Sequence, residues 1–487
     1  MAGRSFQHLL SFLVLLLLCA KPGLGKVTGC IERERQALLH FRRGLVDRYG
    51  LLSSWGDDNR DCCQWRGVQC SNQSGHIIML HLPAPPNEDY SQDVIYQSLR
   101  GEISPSLLEL DHLTHLDLSY NDFEGRHIPP FLGSLSRMQY LNLSHANFAQ
   151  TVPTQLGNLS NLLSLDLSDN YLLNSGNLEW LSRLSSLRHL DLSSVNLSEA
   201  IHWSQAINKL PSLIHLDLQH CYLPPIPPLT IPSLSHGNSS VPLVFLDLSG
   251  NYLTSSIYPW LLNFSTTLLH LDLSFNGLNG SIPEYAFGNM SSLEYLDLHS
   301  SELDDEIPDT IGDMGSLAYL DISENQLWGS IPDTVGKMVL LSHLDLSLNQ
   351  LQGSIPDTVG NMVSLKKLSL SENHLQGTQL QSFNIDSYKG NPALCGLPLL
   401  KKCFEDKIKQ DSPTHNIEDK IQQDGNDMWF YVSVALGFIV GFWGVCGTLL
   451  LNNSWRYAYF QFLNKIKDWL YVIIAINMAR LQRSLQS

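Results

Sequence analysis

Basic residues are scarce in this sequence of 487 residues, which has 30 lysines and arginines against 47 aspartates and glutamates and a formal net charge of −17. A protein that binds nucleic acid needs a basic face to meet the phosphates, so this balance argues against that class. The sequence also lacks the glycine-rich loop, catalytic-loop Asp and D-F-G of a kinase, the H-E-x-x-H of a zinc protease and a nucleophile elbow. We therefore expect that the protein is not an enzyme and needs no cofactor.

Long uncharged hydrophobic runs are also rare, and the two that matter lie near the ends. Residues 1–25 combine Arg4 with the run LLSFLVLLLLCA, which is too short to span a bilayer and predicts a secretory signal peptide. Residues 428–451 are 24 uncharged residues and predict one transmembrane helix. The acidic juxtamembrane segment 404–427 and the short basic tail 452–487 place the N-terminal part outside the cell and the tail in the cytosol. The sequence thus predicts a single-pass type I protein of the plasma membrane.

A repeat fills the region between these ends. The motif LTHLDLSYN at Leu113 recurs at intervals of 24 to 26 residues, apart from one interval of 30, and IIMLHL at Ile77 adds a twelfth copy. In L-x-x-L-x-L the second and third leucines point inward along a short strand, and one copy cannot bury them alone. Stacked copies can, so residues 77–380 predict an α/β solenoid, a curved right-handed leucine-rich-repeat superhelix with parallel strands on its concave face. The central leucines are Leu116, Leu141, Leu165, Leu190, Leu216, Leu246, Leu271, Leu296, Leu320, Leu344 and Leu368.

Asparagine recurs five residues after the central leucine. Buried at the turn, its amide can bond backbone groups that no strand satisfies, so we expect these side chains to be structural. Cys221 holds the same position in its own copy, and we interpret it as a buried free thiol rather than a bridge or a nucleophile. The asparagines are Asn121, Asn170, Asn251, Asn276, Asn325, Asn349 and Asn373.

The outward residues of the predicted strands are the candidate binding surface. Because adjacent strands lie about 4.8 Å apart, equivalent residues form columns on the concave face. The column just before the second leucine is rich in aromatic and histidine side chains, which offer flat contact area with few rotors to freeze and suit a peptide or protein ligand. Ser164 and Lys367 occupy the same column. The candidate ligand-binding residues are His115, Tyr140, His189, His215, Phe245, His270, Tyr295, Tyr319 and His343.

A second column, two residues further on, runs from Asp117 to Asp345 and is mostly aspartate. Two interpretations stay open for it, namely local hydrogen bonds and ligand contact. Histidines beside aspartates raise the hypothesis of a ligand affinity that changes between about pH 5 and 7, where imidazole titrates. A metal held by His189 and His215 is a further alternative, but two ligands leave a metal site open, and we expect none.

Cysteines and glycosylation sequons fit an extracellular location. Six cysteines cluster at the two ends of the predicted solenoid, where oxidised bridges are expected and metal binding is the less favoured alternative. They are Cys30, Cys62, Cys63, Cys70, Cys395 and Cys403. A glycan on Asn142 would obstruct part of the concave face. The sequons that predict N-glycans are Asn72, Asn142, Asn158, Asn196, Asn238, Asn263, Asn279 and Asn289.

Three motifs carry a family resemblance. LDLSxN together with GSIPDTVGNM resembles the plant-type extracellular leucine-rich repeat. Residues 26–76, with ERQALLHFRRGL and WGDDNRDCCQWRGVQC, resemble the N-terminal cap of that family, and residues 381–403, with FNIDSYKGNPALCGLPLLKKC, resemble its C-terminal cap. The resemblance implies disulfides between Cys30 and Cys62, between Cys63 and Cys70, and between Cys395 and Cys403.

The whole chain looks like a plant receptor-like protein without a kinase, of the disease-resistance and fungal-elicitor type. That resemblance implies a microbial or damage-derived ligand outside the cell, an adaptor receptor-like kinase and a co-receptor kinase. Ser433, Gly437 and Gly441 place small residues on one face of the predicted transmembrane helix, where a partner helix can approach closely. Family members usually carry far more repeats, so we expect a shortened member. The alternatives are a developmental peptide co-receptor and a decoy or inhibitor of a pathogen cell-wall-degrading enzyme.

Overall fold

The structure is a computed structural model that describes residues 29–56, 59–84, 97–227, 241–378, 383–395 and 399. The predicted signal peptide, juxtamembrane segment, transmembrane helix and tail lie outside these ranges, as do Asn238, Cys403, Ser433, Gly437 and Gly441. Within the described ranges, no helix has both the length and the apolar character needed to cross a membrane.

Each repeat has one short strand that carries its central leucine, as the leucine spacing predicts, and some repeats have a second strand. In chain order they are β1 (Leu45–Val46), β2 (Val68–Cys70), β3 (Ile77–His81), β4 (Arg100–Gly101), β5 (His115–Asp117), β6 (Tyr140–Asn142), β7 (Ala149–Thr151), β8 (Ser164–Asp166), β9 (Leu172–Asn174), β10 (His189–Asp191), β11 (His215–Asp217), β12 (Phe245–Asp247), β13 (His270–Asp272), β14 (Tyr295–Asp297), β15 (Tyr319–Asp321), β16 (His343–Asp345), β17 (Gln352–Ser354), β18 (Lys367–Ser369), β19 (His374–Thr378) and β20 (Ala393–Cys395).

Thirteen of these strands form one sheet, in the order β2, β3, β5, β6, β8, β10 to β16 and β18. All neighbours pair in parallel except β2 and β3, which pair antiparallel. The central leucines lie directly opposite one another, so that Leu190 pairs with Leu165 on one side and Leu216 on the other. Every central leucine is at most 3% exposed. The predicted leucine-rich-repeat solenoid with parallel strands is therefore confirmed.

Helical segments follow the strands and stack from repeat to repeat. Proline at the N-cap fixes φ at the start of several of them, for example Pro332 at φ −67°. A Cβ added to Gly133 would meet the backbone oxygen of Gln155 in the next repeat, so glycine is needed for this close approach. The α-helices are α1 (Glu32–Arg43), α2 (Trp203–Ile207), α3 (Tyr258–Leu261) and α4 (Glu284–Phe287). The 3-10 helices are Cys62–Gln64, Pro105–Glu109, Pro130–Ser134, Thr154–Asn158, Glu179–Arg183, Ser255–Ile257, Leu262–Phe264, Asp309–Asp313, Asp333–Lys337, Asp357–Asn361 and Ile385–Tyr388.

The N-terminal end of the solenoid is closed by α1 and two disulfides. Cys30 is bonded to Cys62 and Cys63 to Cys70, which confirms the two pairings that the resemblance implies. Cys395 is also disulfide-bonded, while its expected partner lies outside the described residues. Behind the two N-terminal bridges, Trp55 and Trp65 stack with ring centroids 5.5 Å apart. Aromatic packing and cross-links thus cover the leucines that the first repeat would leave open.

The recurrent asparagines connect successive repeats. Asn170 is fully buried, and its amide donates to the carbonyl oxygens of Leu143, Leu167 and Ser168. Its Oδ1 accepts from the backbone N–H groups of Ala146 and Phe148 in the preceding repeat. The expected structural role of these side chains is confirmed.

Two repeats replace this asparagine with a smaller polar group. Cys221 is buried and free, as predicted, and its Sγ donates to the carbonyl of Leu192 at 3.1 Å. Burial raises the pKa of this thiol well above its usual range, which makes it a poor nucleophile. Ser301 takes the same position in another repeat, with its Oγ 3.0 Å from the carbonyl oxygen of Leu273. Asn391 continues the series beyond the repeats that the sequence pattern identifies.

Candidate ligand-binding face

The structure brings all nine candidate ligand-binding residues into one line. Each of them is the first residue of its strand, and the parallel register places it beside the equivalent residue of the next strand. We call this line the ring ladder and each of its positions a rung. His189 is exposed, and the other eight side chains are half-buried. The alignment follows from the sequence because identical motifs, stacked in register, repeat every outward position at the strand spacing.

Six consecutive rings of the ladder, from His215 to His343, form a continuous stack. Their centroids lie 4.0 to 4.3 Å apart, and their planes differ by 9° to 26°. His115 and Tyr140 form a separate stack at 4.1 Å and 2°. Because each ring covers the face of its neighbour, the surface that a ligand meets consists of ring edges and polar tips. Such a surface suits an extended peptide better than a sugar, which needs open ring faces.

The stack of rings is not continuous between Tyr140 and His215. His189 and His215 are tilted by 36°, with ring centroids 5.8 Å apart. Ser164, on β8, lies in register between Tyr140 on β6 and His189 on β10. Serine has no ring, and none of the described ring pairs joins Tyr140 to His189. Each of these two side chains therefore has one face that no ring of the described chain covers.

The aspartates two residues after the ladder residues bond locally, which supports the first of their two interpretations. In most copies one carboxylate oxygen accepts from the backbone N–H and the hydroxyl of the serine two residues on, as in Asp166 with Ser168 at 3.0 and 2.7 Å. The second oxygen faces the ladder in some copies. The hydroxyls of Tyr295 and Tyr319 each donate to Oδ2 of the aspartate two residues on, Asp297 and Asp321, at 3.3 Å.

Burial makes the centre of this face less charged than its composition indicates. Burial and the neighbouring carboxylates of Asp191 and Asp247 raise the pKa of Asp217 to about 7. Burial likewise raises the pKa of Asp191 and of Asp272 to about 6. It lowers the pKa of His270 to about 4. Near pH 5, therefore, these three carboxyls and this imidazole are mostly uncharged.

These shifts change the hypothesis that histidine titration makes binding depend on pH. Burial, followed by the nearby His189 and His270, lowers the pKa of His215, and burial also lowers the pKa of His343. Carboxyls of the neighbouring column are shifted into this range, with pKa values of about 6 for Asp191 and about 7 for Asp217. Any pH dependence in this range is therefore expected to follow the aspartates rather than the central imidazoles.

Potential metal ligands meet in a few places on this face, but not where the sequence pairs two histidines. Clusters of three form at His81, His115 and Asp117, and at Asp297, His299 and Asp321. Within the described residues, His189 and His215 belong to no such cluster. In the second cluster a local hydrogen bond of 2.7 Å between His299 Nδ1 and Asp297 Oδ1 already accounts for the contact.

The described sequons lie mostly on open surface. Six of the seven predicted glycosylation sites in the described ranges are exposed, and Asn142 is half-buried on the ladder side of the sheet. Its Oδ1 accepts from Ser144, and its Nδ2, the atom that would carry a glycan, lies 3.3 Å from the hydroxyl of Tyr140. A glycan there would border the interruption at Ser164.

Comparisons with known proteins agree with this architecture. Family models match at residues 31–71 (leucine rich repeat N-terminal domain), at 266–327 and at 112–135, 242–264 and 340–362 (leucine rich repeat). Receptor-like protein EIX1 of Solanum lycopersicum is 43% identical over 262 residues, which are 52% of this chain and 25% of that protein. Receptor-like protein EIX2 of the same species is 39% identical over 244 residues, which are 49% of this chain and 23% of that protein.

The solved structure of PEPR1 with AtPEP1 has the same fold. It superposes with a TM-score of 0.57 at 29% identity, covering 72% of this chain and 46% of that chain. The matches to the curated relatives span only about a quarter of their length. The repeats, the cap with its disulfides and these relatives agree with one another: the chain is a leucine-rich-repeat protein that is similar to the receptor-like proteins of plants.

Proposed function

We propose that this protein is a cell-surface receptor that binds an extracellular peptide or protein through the ring ladder and signals through an associated receptor-like kinase in plant defence. The observation that carries the proposal is the uninterrupted stack from His215 to His343, which forms one rigid, half-exposed strip across six neighbouring strands. Aromatic side chains held by their neighbours lose little entropy when a ligand binds, and they are typical of binding hot spots. The likeness to PEPR1, whose structure contains AtPEP1, supports a peptide as the ligand class.

Truncating three rings of this stack is expected to remove most of the affinity. In a variant with Phe245→Ala, Tyr295→Ala and Tyr319→Ala, we expect the dissociation constant for a captured ligand to rise about 100-fold or more, because central aromatic residues each contribute roughly 1–2 kcal/mol at interfaces. The full-length chain, immobilised in detergent, would capture ligands from fungal culture filtrate and from plant extracellular fluid. Mass spectrometry would identify them, and biolayer interferometry would measure their binding.

The matched control replaces exposed apolar residues away from the ladder, Tyr285→Ala and Val363→Ser, which are 54% and 86% exposed. This control should bind like the wild type. Equal binding by the ladder variant, with an unchanged melting temperature, would refute the ladder as the ligand site. Capture of a fungal cell-wall-degrading enzyme that loses activity in the complex would instead favour the decoy or inhibitor alternative, and capture of an endogenous plant peptide the developmental one.

A second prediction concerns the kinase partner. We expect a receptor-like kinase to co-purify with the full-length chain, and Gly437→Leu with Gly441→Leu to reduce its recovery about tenfold, because leucine on this face prevents a close approach of helices. Ile439→Ala, within the same predicted helix but on its opposite face, serves as the control. Recovery of no kinase with the wild type, measured by quantitative mass spectrometry of crosslinked plant membranes, would refute the signalling mechanism.

A further inference from the structure

The interruption of the ring ladder at Ser164 is one strand wide. Strands β6, β8 and β10 are adjacent and in register, so Tyr140 and His189 are two strand spacings apart with Ser164 between them. The intact part of the ladder shows what fills such a space. Tyr295 lies between His270 and Tyr319 on three equally adjacent strands, with ring centroids 4.0 and 4.3 Å away and planes inclined by 12° and 10°. In the intact stack, therefore, one planar ring occupies the space between two rungs that are two strands apart.

The same strand offers a polar partner for a phenol. In the intact ladder, the hydroxyls of Tyr295 and Tyr319 donate to Oδ2 of Asp297 and Asp321, two residues along each strand. Beside Ser164 the equivalent residue is Asp166. Its Oδ1 accepts from the N–H and Oγ–H of Ser168, and its Oδ2 receives no hydrogen bond from any residue in the described ranges. Asp166 therefore offers a carboxylate oxygen beside the gap, on the same strand as Ser164, as a possible acceptor for a phenol.

We propose that Tyr140, Ser164, Asp166 and His189 form a slot that binds one tyrosine side chain of the ligand. This inference rests on the proposed function and names the chemistry of one ligand residue. The ring stacks between Tyr140 and His189, and its hydroxyl donates to Asp166. The other face of Tyr140 is covered by His115 at 4.1 Å, which holds that wall of the slot in place.

The alternative occupant of the slot is an N-glycan attached to this protein. A glycan on Asn142 would begin at Nδ2, 3.3 Å from the hydroxyl of Tyr140, and would border the slot. Asn142→Asp removes the sequon and keeps the acceptor that binds Ser144, since aspartate occupies this position in most other repeats. The test therefore includes this variant.

The test uses a small probe and does not require the natural ligand. N-acetyl-L-tyrosinamide is titrated into the full-length chain in detergent micelles, and binding is followed by saturation-transfer NMR. Ser164→Tyr places a ring in the slot and should weaken probe binding about tenfold or more, whereas Ser164→Ala should change it less than about twofold. N-acetyl-L-phenylalaninamide, which lacks the hydroxyl, should bind about two- to tenfold more weakly than the tyrosine probe. The melting temperature of Ser164→Tyr should be equal to or above that of the wild type, because the new ring completes the stack.

The outcomes separate the slot from the receptor proposal. Equal probe binding by Ser164→Tyr and the wild type overturns the slot, and so does probe binding that appears only with Asn142→Asp, which would identify the glycan as the native occupant. If a ligand captured by the ring ladder binds Ser164→Tyr as tightly as the wild type, receptor function stands and the tyrosine inference falls. If no ligand is captured at all but Ser164→Tyr still abolishes probe binding, the slot stands and the receptor proposal falls.

Discussion

Replacing Asn170 with alanine is expected to lower the free energy of unfolding by about 3–5 kcal/mol. The amide of Asn170 satisfies three carbonyl oxygens, and its Oδ1 satisfies two backbone N–H groups of the preceding repeat. Alanine leaves four of these groups buried without a partner, since the carbonyl of Ser168 still accepts from the N–H of His145, and each such group costs about 1–3 kcal/mol unless water reaches it. Water is expected to recover part of this cost, so the estimate lies below the sum.

The effect should be local to one joint of the solenoid. Each repeat contacts only its neighbours, so loss of Asn170 weakens the contact between the repeats that begin at β6 and β8. Urea unfolding measures the free energy, and hydrogen exchange measures where protection is lost, which we expect at residues 143–170. Asn161→Ala is the matched control, since Asn161 is exposed and donates one hydrogen bond, to the carbonyl of Ser136. If both variants lost the same stability, the structural role of the buried asparagine would be refuted.

The period of the repeat was sufficient to predict the parallel sheet and the residues that lie on its exposed face. Each repeat adds one strand to the sheet, and equivalent residues of successive strands are paired. Counting residues in the sequence is therefore enough to place His215 and Tyr319 in one line. The burial of Cys221 follows in the same way, since it replaces an asparagine at an inward position. These predictions succeed because equivalent positions of the motif have the same backbone conformation in every repeat.

The motif could not predict features that depend on how the side chains of neighbouring repeats pack against one another. In the sequence, Ser164 is only a polar residue in a column of aromatic and histidine residues. The structure shows that other members of this column stack with ring centroids 4.0 to 4.3 Å apart, so a residue without a ring leaves a gap. Asn391 lies outside the spacing that identifies the other asparagines, yet it donates to Leu370 in the same manner. The histidine hypothesis needed revision for a related reason, because burial, which the motif does not encode, sets the pKa of His270.

Burial of the Asp217 carboxylate predicts that Asp217→Asn stabilises the protein most at pH 8 and considerably less at pH 5. The pKa of Asp217 is raised to about 7 in the folded state, against about 3.9 in the unfolded chain. The folded state therefore binds more protons between these values, and this carboxyl reduces stability progressively as the pH rises from about 4 to 7. Asparagine removes the charge and keeps the acceptor for the N–H of Gln219. We expect a gain of about 1–3 kcal/mol at pH 8, less than the full shift implies, because Asp217 is partly exposed and coupled to Asp191.

His270→Phe should show the opposite trend, which makes the pair a strict test. The pKa of His270 is lowered to about 4 in the folded state, so the unfolded chain binds more protons near pH 5 and this residue reduces stability as the pH falls below about 6.5. Phenylalanine keeps a ring between Phe245 and Tyr295 and cannot be protonated. We therefore expect His270→Phe to gain about 1 kcal/mol relative to the wild type on going from pH 8 to 5, while the advantage of Asp217→Asn becomes smaller. Urea unfolding at both pH values measures the differences, with the exposed Asp333→Asn as the control. Parallel trends in the two variants would show that burial does not suppress both charges on the ring-ladder face.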